Sequence, residues 1–378
     1  MWVHAASVGE VMAATPILKE FSKLGPDWEV IVSVITPGGY EVASAMIGKG
    51  VMAVVYSPFD VPWIVRRSVR TIQPDLYMNL ETELWPNIAY CLSKNRVPAI
   101  IVNGRISDKS IGRYLQIKPF VRWCLSSFQS ILVQSQIDMD RFIALGAAPE
   151  RTSVIGNAKF DQAPEGLNES SKAQLRASFG IDEAAPVLVF GSTRQEDEER
   201  ILISAYKTLH ARYPRLAVIH APRHVDRAEA VKTLWKEAGY DVVRRSEMGP
   251  YGPKSDQVVL DTFGELANVY ALATVVFIGN SLTEPGGGQN ILQPLAQGKP
   301  VVYGPKMQNF RDSIAMAEKS NVGFKVYNPD ELTAKLEDLL EQKEETEALA
   351  IRARSLIDSN RGVAARYAAE IAKVVGLQ

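Results

Sequence analysis

Short apolar, β-branched runs alternate with amphipathic stretches along the whole chain. The first, Trp2-Val3-His4-Ala5-Ala6-Ser7-Val8-Gly9-Glu10, reads as a strand, a small-residue turn and the mouth of a helix that carries a carboxylate. Val30-Ile35, Ala53-Tyr56, Leu76-Leu80, Ala99-Asn103, Ser130-Gln134 and Thr152-Ile155 follow as strands, separated by helical patterns. Such alternation predicts parallel strands with crossover helices on both faces. A polar interval from Asp161 to Gln174, with Pro164, Gly166 and paired serines, reads as a linker. The pattern restarts with Pro186-Phe190, Leu216-His220, Asp241-Arg244, Gln257-Leu260, Thr274-Ile278 and Pro300-Tyr303. After Asn328 the chain turns helical and charged, and its Ala-rich end, Gly362 to Val375, suits packing back on the first domain. The predicted class is α/β: two doubly wound, Rossmann-like domains facing each other across a cleft, over 1–160 and 175–355, with a linker at 161–174 and a C-terminal helix in 356–378.

Composition narrows the class without naming the chemistry. A hydrophobic content of 46% and a charged content of 22% over 378 residues suit a globular protein of two domains. A formal net charge of -1 argues against a nucleic-acid partner, and the slight excess of base in the first half is balanced by acid in the second. Cys91 and Cys124 fit no metal-ligand spacing and lie in apolar surroundings, as buried thiols of a reducing compartment do. No apolar run reaches the length of a membrane span. His4, His210, His220 and His224 lack zinc spacing, and Asp138-Met139-Asp140 is assigned to the solvated face of a helix.

Chemistry concentrates where predicted strands end. In an open α/β sheet the carboxyl ends of the strands are the ligand edge, and a helix N-terminus there usually receives a phosphate. Glu10 occupies that place instead; it suits proton abstraction, and its bland alternative is an acid that merely stabilises the first helical turn. Strand Leu76-Leu80 runs into Glu81-Thr82-Glu83-Leu84-Trp85-Pro86-Asn87, where an extended segment would turn Glu81 and Glu83 to one side. Between Lys94 and Arg122, Asp108 is the single acid among seven basic residues. Arg105, Lys109 and Arg113 recur at helical spacing there, and with Arg66, Arg67 and Arg70 they could face anionic lipid headgroups or a phosphorylated acceptor. In the second half, Pro222-Arg223-His224 ends a strand with a cation suited to a nucleotide phosphate. Ser192 or Thr193 is placed to cap the helix that opens near Glu196. Glu284-Pro285-Gly286-Gly287-Gly288-Gln289-Asn290 precedes a helix over Asn290-Ala296, and its glycines would let backbone amides approach an anion.

Taken in order, these motifs resemble those of the 3-deoxy-D-manno-octulosonic acid (Kdo) transferases of lipopolysaccharide and lipid A biosynthesis, glycosyltransferases of the GT-B fold. The resemblance runs through His4 to Glu10, Glu81 to Asn87, Asn103-Gly104-Arg105-Ile106-Ser107, Lys159-Phe160-Asp161, Pro222-Arg223-His224, Asp261-Thr262-Phe263-Gly264-Glu265-Leu266, and Gly279-Asn280-Ser281-Leu282 to Gly304-Pro305. It implies an inverting transfer of Kdo from CMP-Kdo to a lipid A precursor (lipid IVA), with no metal and no cofactor. It makes 1–160 the acceptor-binding domain and 175–355 the CMP-Kdo domain. Glu10 would be the general base, and Glu81 and Lys159 would stabilise the transition state. Pro222, Arg223, the loop Phe263, Gly264 and Glu265, and Asn290, Ile291, Leu292 and Gln293 would hold CMP, leaving Glu83, Arg105, Lys109 and Arg113 as candidate acceptor contacts. Gln293 stands where the family usually has Glu, and an amide oxygen accepts more weakly than a carboxylate. The family also carries an N-terminal membrane-associating segment ahead of the Ser-Val-Gly-Glu strand, so the expected place of action is the cytoplasmic face of the bacterial inner membrane, with the membrane surface as a partner and the anchor missing from this sequence. Two other readings fit the residues: a GT-B transferase or epimerase using another nucleotide sugar, and a solute-binding protein that closes without chemistry.

Overall fold

The apolar runs form two separate parallel sheets. The computed structural model describes residues 1–249, 255–341 and 343–377, without the side chains of Lys109, Asp312, Lys343 and Glu344. One unit comprises Met1–Gln162 and Asn360–Gln378, the other Ala163–Ser359. The first contains β1 (Trp2–His4), α1 (Val8–Leu24), β2 (Ile31–Val34), α2 (Pro37–Ser44), β3 (Ala53–Tyr56), α3 (Pro62–Ile72), β4 (Tyr77–Leu80), α4 (Pro86–Lys94), β5 (Ala99–Gly104), α5 (Asp108–Gln116), α6 (Lys118–Ser126), β6 (Ser130–Val133), α7 (Gln136–Ala144) and β7 (Thr152–Val154). The second contains α8 (Glu169–Phe179), β8 (Val187–Thr193), α9 (Glu196–Arg212), β9 (Ala217–Pro222), α10 (Ala228–Glu237), β10 (Val243–Arg244), β11 (Gln257–Val259), α11 (Leu266–Val269), β12 (Val275–Ile278), α12 (Leu292–Ala296), β13 (Val301–Tyr303), α13 (Arg311–Lys319), β14 (Gly323–Lys325), α14 (Pro329–Glu341) and α15 (Lys343–Asp358). A last helix, α16 (Val363–Val374), returns to the first unit.

The strand orders are β3-β2-β1-β4-β5-β6-β7 and β10-β11-β9-β8-β12-β13-β14. Each sheet reverses direction of winding once, between β1 and β4 in the first and between β8 and β12 in the second. Those two points are where a doubly wound sheet opens a crevice for ligands. Period two explains why the strands are apolar on both faces: Ile100 and Val102 of β5 join one core, while Ala99 and Ile101 join the other. On the first face α1 inserts Val11, Ile17 and Phe21, and α16 adds Tyr367, Ala368 and Ile371 to the same cluster. The Tyr367 hydroxyl donates to the Gly156 carbonyl at 2.8 Å, so α16 is tied to the sheet edge by a hydrogen bond as well as by packing.

Several local expectations are corrected. The interval 161–174 is not one linker: Asp161 accepts from the Gly362 amide at 2.6 Å and from the Ala364 amide, capping α16, and α8 already begins at Glu169 with Asn168 as its cap. The chain passes between units after Gln162 and after Ser359, and 356–358 still belong to α15. Asp138 is buried, not solvated, because it accepts from the Ile106 amide at 3.0 Å and from the Ser135 hydroxyl at 2.5 Å. Ser192 and Thr193 lie buried in β8 and do not cap α9. The edge strand β14 escapes the sequence pattern, since Gly323-Phe324-Lys325 is neither an apolar run nor an alternation. Both cysteines are free and buried.

Candidate active site

At the reversal of the first sheet, β1 and β4 pair through Val3 and Met78, and both hand the chain to the carboxyl edge. After β1, Ser7 stands at the N-cap of α1, and Glu10 is the third residue of the helix. After β4, Glu81 adopts a left-handed backbone, φ 55°. That costs a non-glycine residue about 1 kcal/mol or more, the kind of strain that gathers at functional sites. The turn replaces the extended segment expected from the sequence. It nevertheless brings Glu81 and Glu83 to one recess with Glu10, a cavity of about 230 Å³ also lined by Thr82, Arg105, Ile106, Ser107, Ser110 and Tyr114.

Glu10 is buried and held at both oxygens. The Ala6 amide donates to Oε2 at 2.8 Å and the Ser7 hydroxyl donates to Oε1 at 2.9 Å. A serine at an N-cap normally accepts from a helix amide; here its hydroxyl makes no such bond and serves the carboxylate instead. Burial, then the charge of Glu81, raises the Glu10 carboxyl from 4.5 to about 7, against the two hydrogen bonds. Burial and Glu81 also raise Glu83. The helix-stabilising reading of Glu10 is therefore incomplete: a mere first-turn acid would stay exposed and ionised.

Lys159, from the short turn Ala158–Gln162, stands 3.5 Å from Glu81 Oε1, so the residues of two distant motifs meet as an ion pair. The Glu81 turn is fixed from both ends. Thr82 Oγ1 donates to the Arg105 carbonyl and accepts from the Arg105 amide at 3.3 Å. Trp85 Nε1 donates to His4 Nε2 at 3.2 Å, and His4 Nδ1 lies 3.1 Å from Ser33 Oγ. Burial pushes His4 down to about 4, so this histidine is a neutral strut rather than an acid or a ligand. Asp60 caps α4 by accepting from the Asn87 and Ile88 amides at 3.0 Å each. Arg105 lines the recess from the loop after β5, not from the helix face expected for it with Lys109 and Arg113, because α5 begins only at Asp108. Arg113 is exposed in the last turn of α5, and the Lys109 side chain lies outside the described residues. Ser7, Ser110 and Tyr114 are site residues that motif reading passed over; Ser7 sits inside a quoted motif, whereas Ser110 and Tyr114 carry no local signal.

In the second unit the residues assigned to a nucleotide follow β9, β11 and β12 at the carboxyl edge. Pro222 closes β9, and the exposed Arg223 is anchored through its amide to the Thr193 carbonyl at 2.8 Å. Phe263 is 89% exposed, beside Gly264 at φ 83°, and Glu265 is paired with Arg245 at 3.2 Å. The glycine loop is built rather than floppy. Gly286, Gly287 and Gly288 have φ of 68°, 115° and 74°, and a Cβ on Gly288 would lie 2.2 Å from Met307 Sδ. The Gly287 amide donates to Lys306 O at 2.9 Å and the Gly288 amide to Asn280 O at 2.7 Å. Those two amides hold the loop and do not wait for an anion, contrary to the expectation. The following helix begins at Leu292, two residues late, because Asn290 Oδ1 accepts from the Leu292 amide at 2.9 Å. Ile291 and Leu292 are buried, and Gln293 is half-buried. Among the described residues no group of three His, Cys, Asp or Glu side chains is arranged to hold a metal ion, and no helix is long and apolar enough to cross a membrane.

Two doubly wound units of this topology define the GT-B class. A glycosyltransferase from Rickettsia africae superposes with a TM-score of 0.65 at 13% identity, covering 99% of this chain and 97% of that one. The UDP-GlcNAc 2-epimerase of Neisseria meningitidis superposes at 0.63 with 10% identity, covering all of both. At such identities the likeness speaks to fold alone. Sequence carries the family. Residues 1–162, the first segment of the first unit, match the family described as 3-Deoxy-D-manno-octulosonic-acid transferase (kdotransferase). The 3-deoxy-D-manno-octulosonic acid transferase of Haemophilus influenzae is 32% identical over 372 residues, 97% of this chain and 85% of that protein. Its counterpart in Bordetella pertussis is 31% identical over 342 residues, 88% and 77% of the two chains. The chain belongs to the Kdo transferase family and is a glycosyltransferase.

Proposed function

We propose that this enzyme transfers Kdo from CMP-Kdo to a lipid A precursor with inversion, and that Glu10 is the base. The observation that carries the reading is the Glu10 carboxyl itself: buried at a switch point, oriented through both oxygens, and poised at about 7. Its ionised form removes the proton of the acceptor hydroxyl as that oxygen attacks the anomeric carbon. CMP leaves from the opposite face with the bonding electrons, and the configuration inverts. Lys159, beside Glu81, supplies positive charge at the recess where charge develops, a role that needs no metal. Arg223 and the loops at Phe263–Glu265 and Asn290–Gln293 would take the nucleotide, with Arg223 exposed at the surface to meet its phosphate.

A lipid acceptor implies work at a membrane surface, at the cytoplasmic face of the inner membrane. Phe59 and Trp63 are 81% and 72% exposed, and Tyr90, Phe120 and Trp123 are exposed on the same unit. Between α3 and α4 a concavity of about 420 Å³ is lined by Arg66, Arg70 and Lys94 with Asn87 and Tyr90. Aromatic rings interleaved with cations have the composition of an interfacial contact with anionic headgroups.

Transfer assayed by mass spectrometry with CMP-Kdo and a lipid A precursor tests the reading. Glu10→Gln is expected to abolish product while CMP affinity stays nearly intact, and chelation is expected to leave the wild-type rate unchanged. Retained transfer refutes the base assignment, and a preference for UDP-sugars over CMP refutes the donor.

A further inference from the structure

Glu10 has a counterpart in the second unit. The helix that follows the first strand of each sheet carries a glutamate at its third residue: Glu10 in α1 and Glu198 in α9. The strand across the reversal then ends in a left-handed residue near each of them, Glu81 after β4 and Asn280 after β12. What those turns present is opposite. Glu81 brings a second carboxylate to Glu10, whereas the Asn280 turn aims three consecutive main-chain amides at Glu198. Oε2 accepts from Asn280 at 2.6 Å, and Oε1 accepts from Ser281 and Leu282 at 2.9 Å each. Glu198 is wholly buried.

Successive amides curled around one point form a nest, which elsewhere binds phosphate and other anions. Here the chain's own carboxylate fills it, assisted by the N-terminal end of α9. Burial pushes the Glu198 carboxyl above its ordinary range while the three amides oppose that rise. The neighbouring Glu199 is engaged elsewhere, by Arg227 at 2.5 Å and by Thr193 at 3.1 Å. From the nest, hydrogen bonds run to the glycine loop: Asn280 Nδ2 donates to Gly286 O at 2.7 Å, and the Gly288 amide returns to Asn280 O at 2.7 Å. Ser281 Oγ also accepts from the Gly304 amide at 2.9 Å, binding the turn to the end of β13.

We infer that Glu198 is a positioning residue of the donor site: a resident anion that holds the 280–282 turn and, through Asn280, keeps the glycine loop and the following Asn290–Gln293 in place for the nucleotide. The inference rests on the reading that Asn290–Gln293 meet the donor.

The test compares wild type with Glu198→Gln, Glu198→Asp and Glu198→Ala in the full chain, by steady-state kinetics with CMP-Kdo and by calorimetry with CMP. In Glu198→Gln an amide N–H faces a backbone N–H, so KM for CMP-Kdo and the Kd of CMP are expected to rise about tenfold or more, with kcat within about threefold. Glu198→Asp is expected to recover part of the loss. In Glu198→Ala formate should restore CMP affinity by entering the emptied nest, and chloride at equal ionic strength should not. A fall in kcat at unchanged KM, an unmoved CMP affinity, or equal responses to formate and chloride would overturn the role. If Glu198→Gln does not fold, Asn280→Ala, which cuts the same link one bond downstream, must show the same split of KM from kcat or the role fails. Gln293→Ala separates the premises: wild-type CMP affinity in that variant refutes the nucleotide reading, whereas weakened affinity there with none in Glu198→Gln refutes the role of Glu198.

Discussion

Removing one hydroxyl should move the whole pH profile of transfer. A base acts ionised, so the rate rises with pH through the Glu10 value, and the acid limb of kcat/KM is expected to have its midpoint at about 7. Ser7 Oγ donates to the carboxylate at 2.9 Å and therefore favours the ionised form. A hydrogen bond to a charged group contributes about 1.5–3 kcal/mol, and one pKa unit is about 1.36 kcal/mol, so Ser7→Ala should raise the midpoint by about one to two units. The recess is open enough for water to take part of that role, which places the expected shift near the lower end, at a midpoint of about 8. Glu81→Gln should do the opposite, because it removes a like charge that raises Glu10. The assay is the initial rate of transfer at saturating CMP-Kdo and subsaturating acceptor, followed from about pH 5.5 to about pH 9.5. A general loss of structure would lower both profiles without moving their midpoints apart. Midpoints that coincide in the two variants, or an acid limb near the ordinary carboxylate value of 4.5, would refute the assignment.

Three further outcomes follow from the same structure. Because the folded chain raises Glu10 from 4.5 to about 7, it binds more protons than the unfolded chain in that window, and stability should fall there as pH rises, by up to about 3 kcal/mol; urea unfolding of Glu10→Gln should show a flatter pH dependence, and an unchanged slope would count against the shift. Tyr367→Ala should cost about 3–5 kcal/mol, since the ring is fully buried against α1 and the sheet, while Tyr367→Phe, which loses the hydroxyl's bond to Gly156 and its longer contact with the Val133 carbonyl, should cost about 1 kcal/mol in the same unfolding measurement. Gly279→Ala would put a Cβ 2.5 Å from Thr193 Cα, a collision between β8 and β12 that neither backbone can relieve cheaply; its cost should exceed the about 1–3 kcal/mol of ordinary overpacking, read as a lowered Tm and lost CMP affinity.

What the sequence showed and what it hid divide along a physical line. Val30-Ile35, interrupted only by Ser33, and Thr274-Ile278 announce strands because a sheet buried on both faces needs nearly continuous apolar runs, and that requirement is local. Gly323-Phe324-Lys325 forms an edge strand only because β13 offers it a partner, which no local pattern records. The site divides in the same way. Glu10 and Glu81 could be nominated from strand ends, but Lys159 came only through family resemblance, since the ion pair that gives it a role spans 78 residues of chain. Glu10 and Glu198 make the point most sharply. Each is a third-residue helix acid, Glu10 alone in its first turn and Glu198 within a run of four acids, and neither pattern records which of the two main-chain amides will close off. Burial raises both carboxyls, and the strand across the reversal makes the difference: β12 delivers three amides that oppose the rise and close Glu198 into the fold, while β4 delivers a carboxylate that adds to the rise at Glu10. The same position in the same topology becomes a strut or a base according to the charge of the turn beside it. Reversing that charge at Glu81 should therefore lower the proton affinity of Glu10 from its present level, leaving it more firmly ionised and a poorer base at neutral pH.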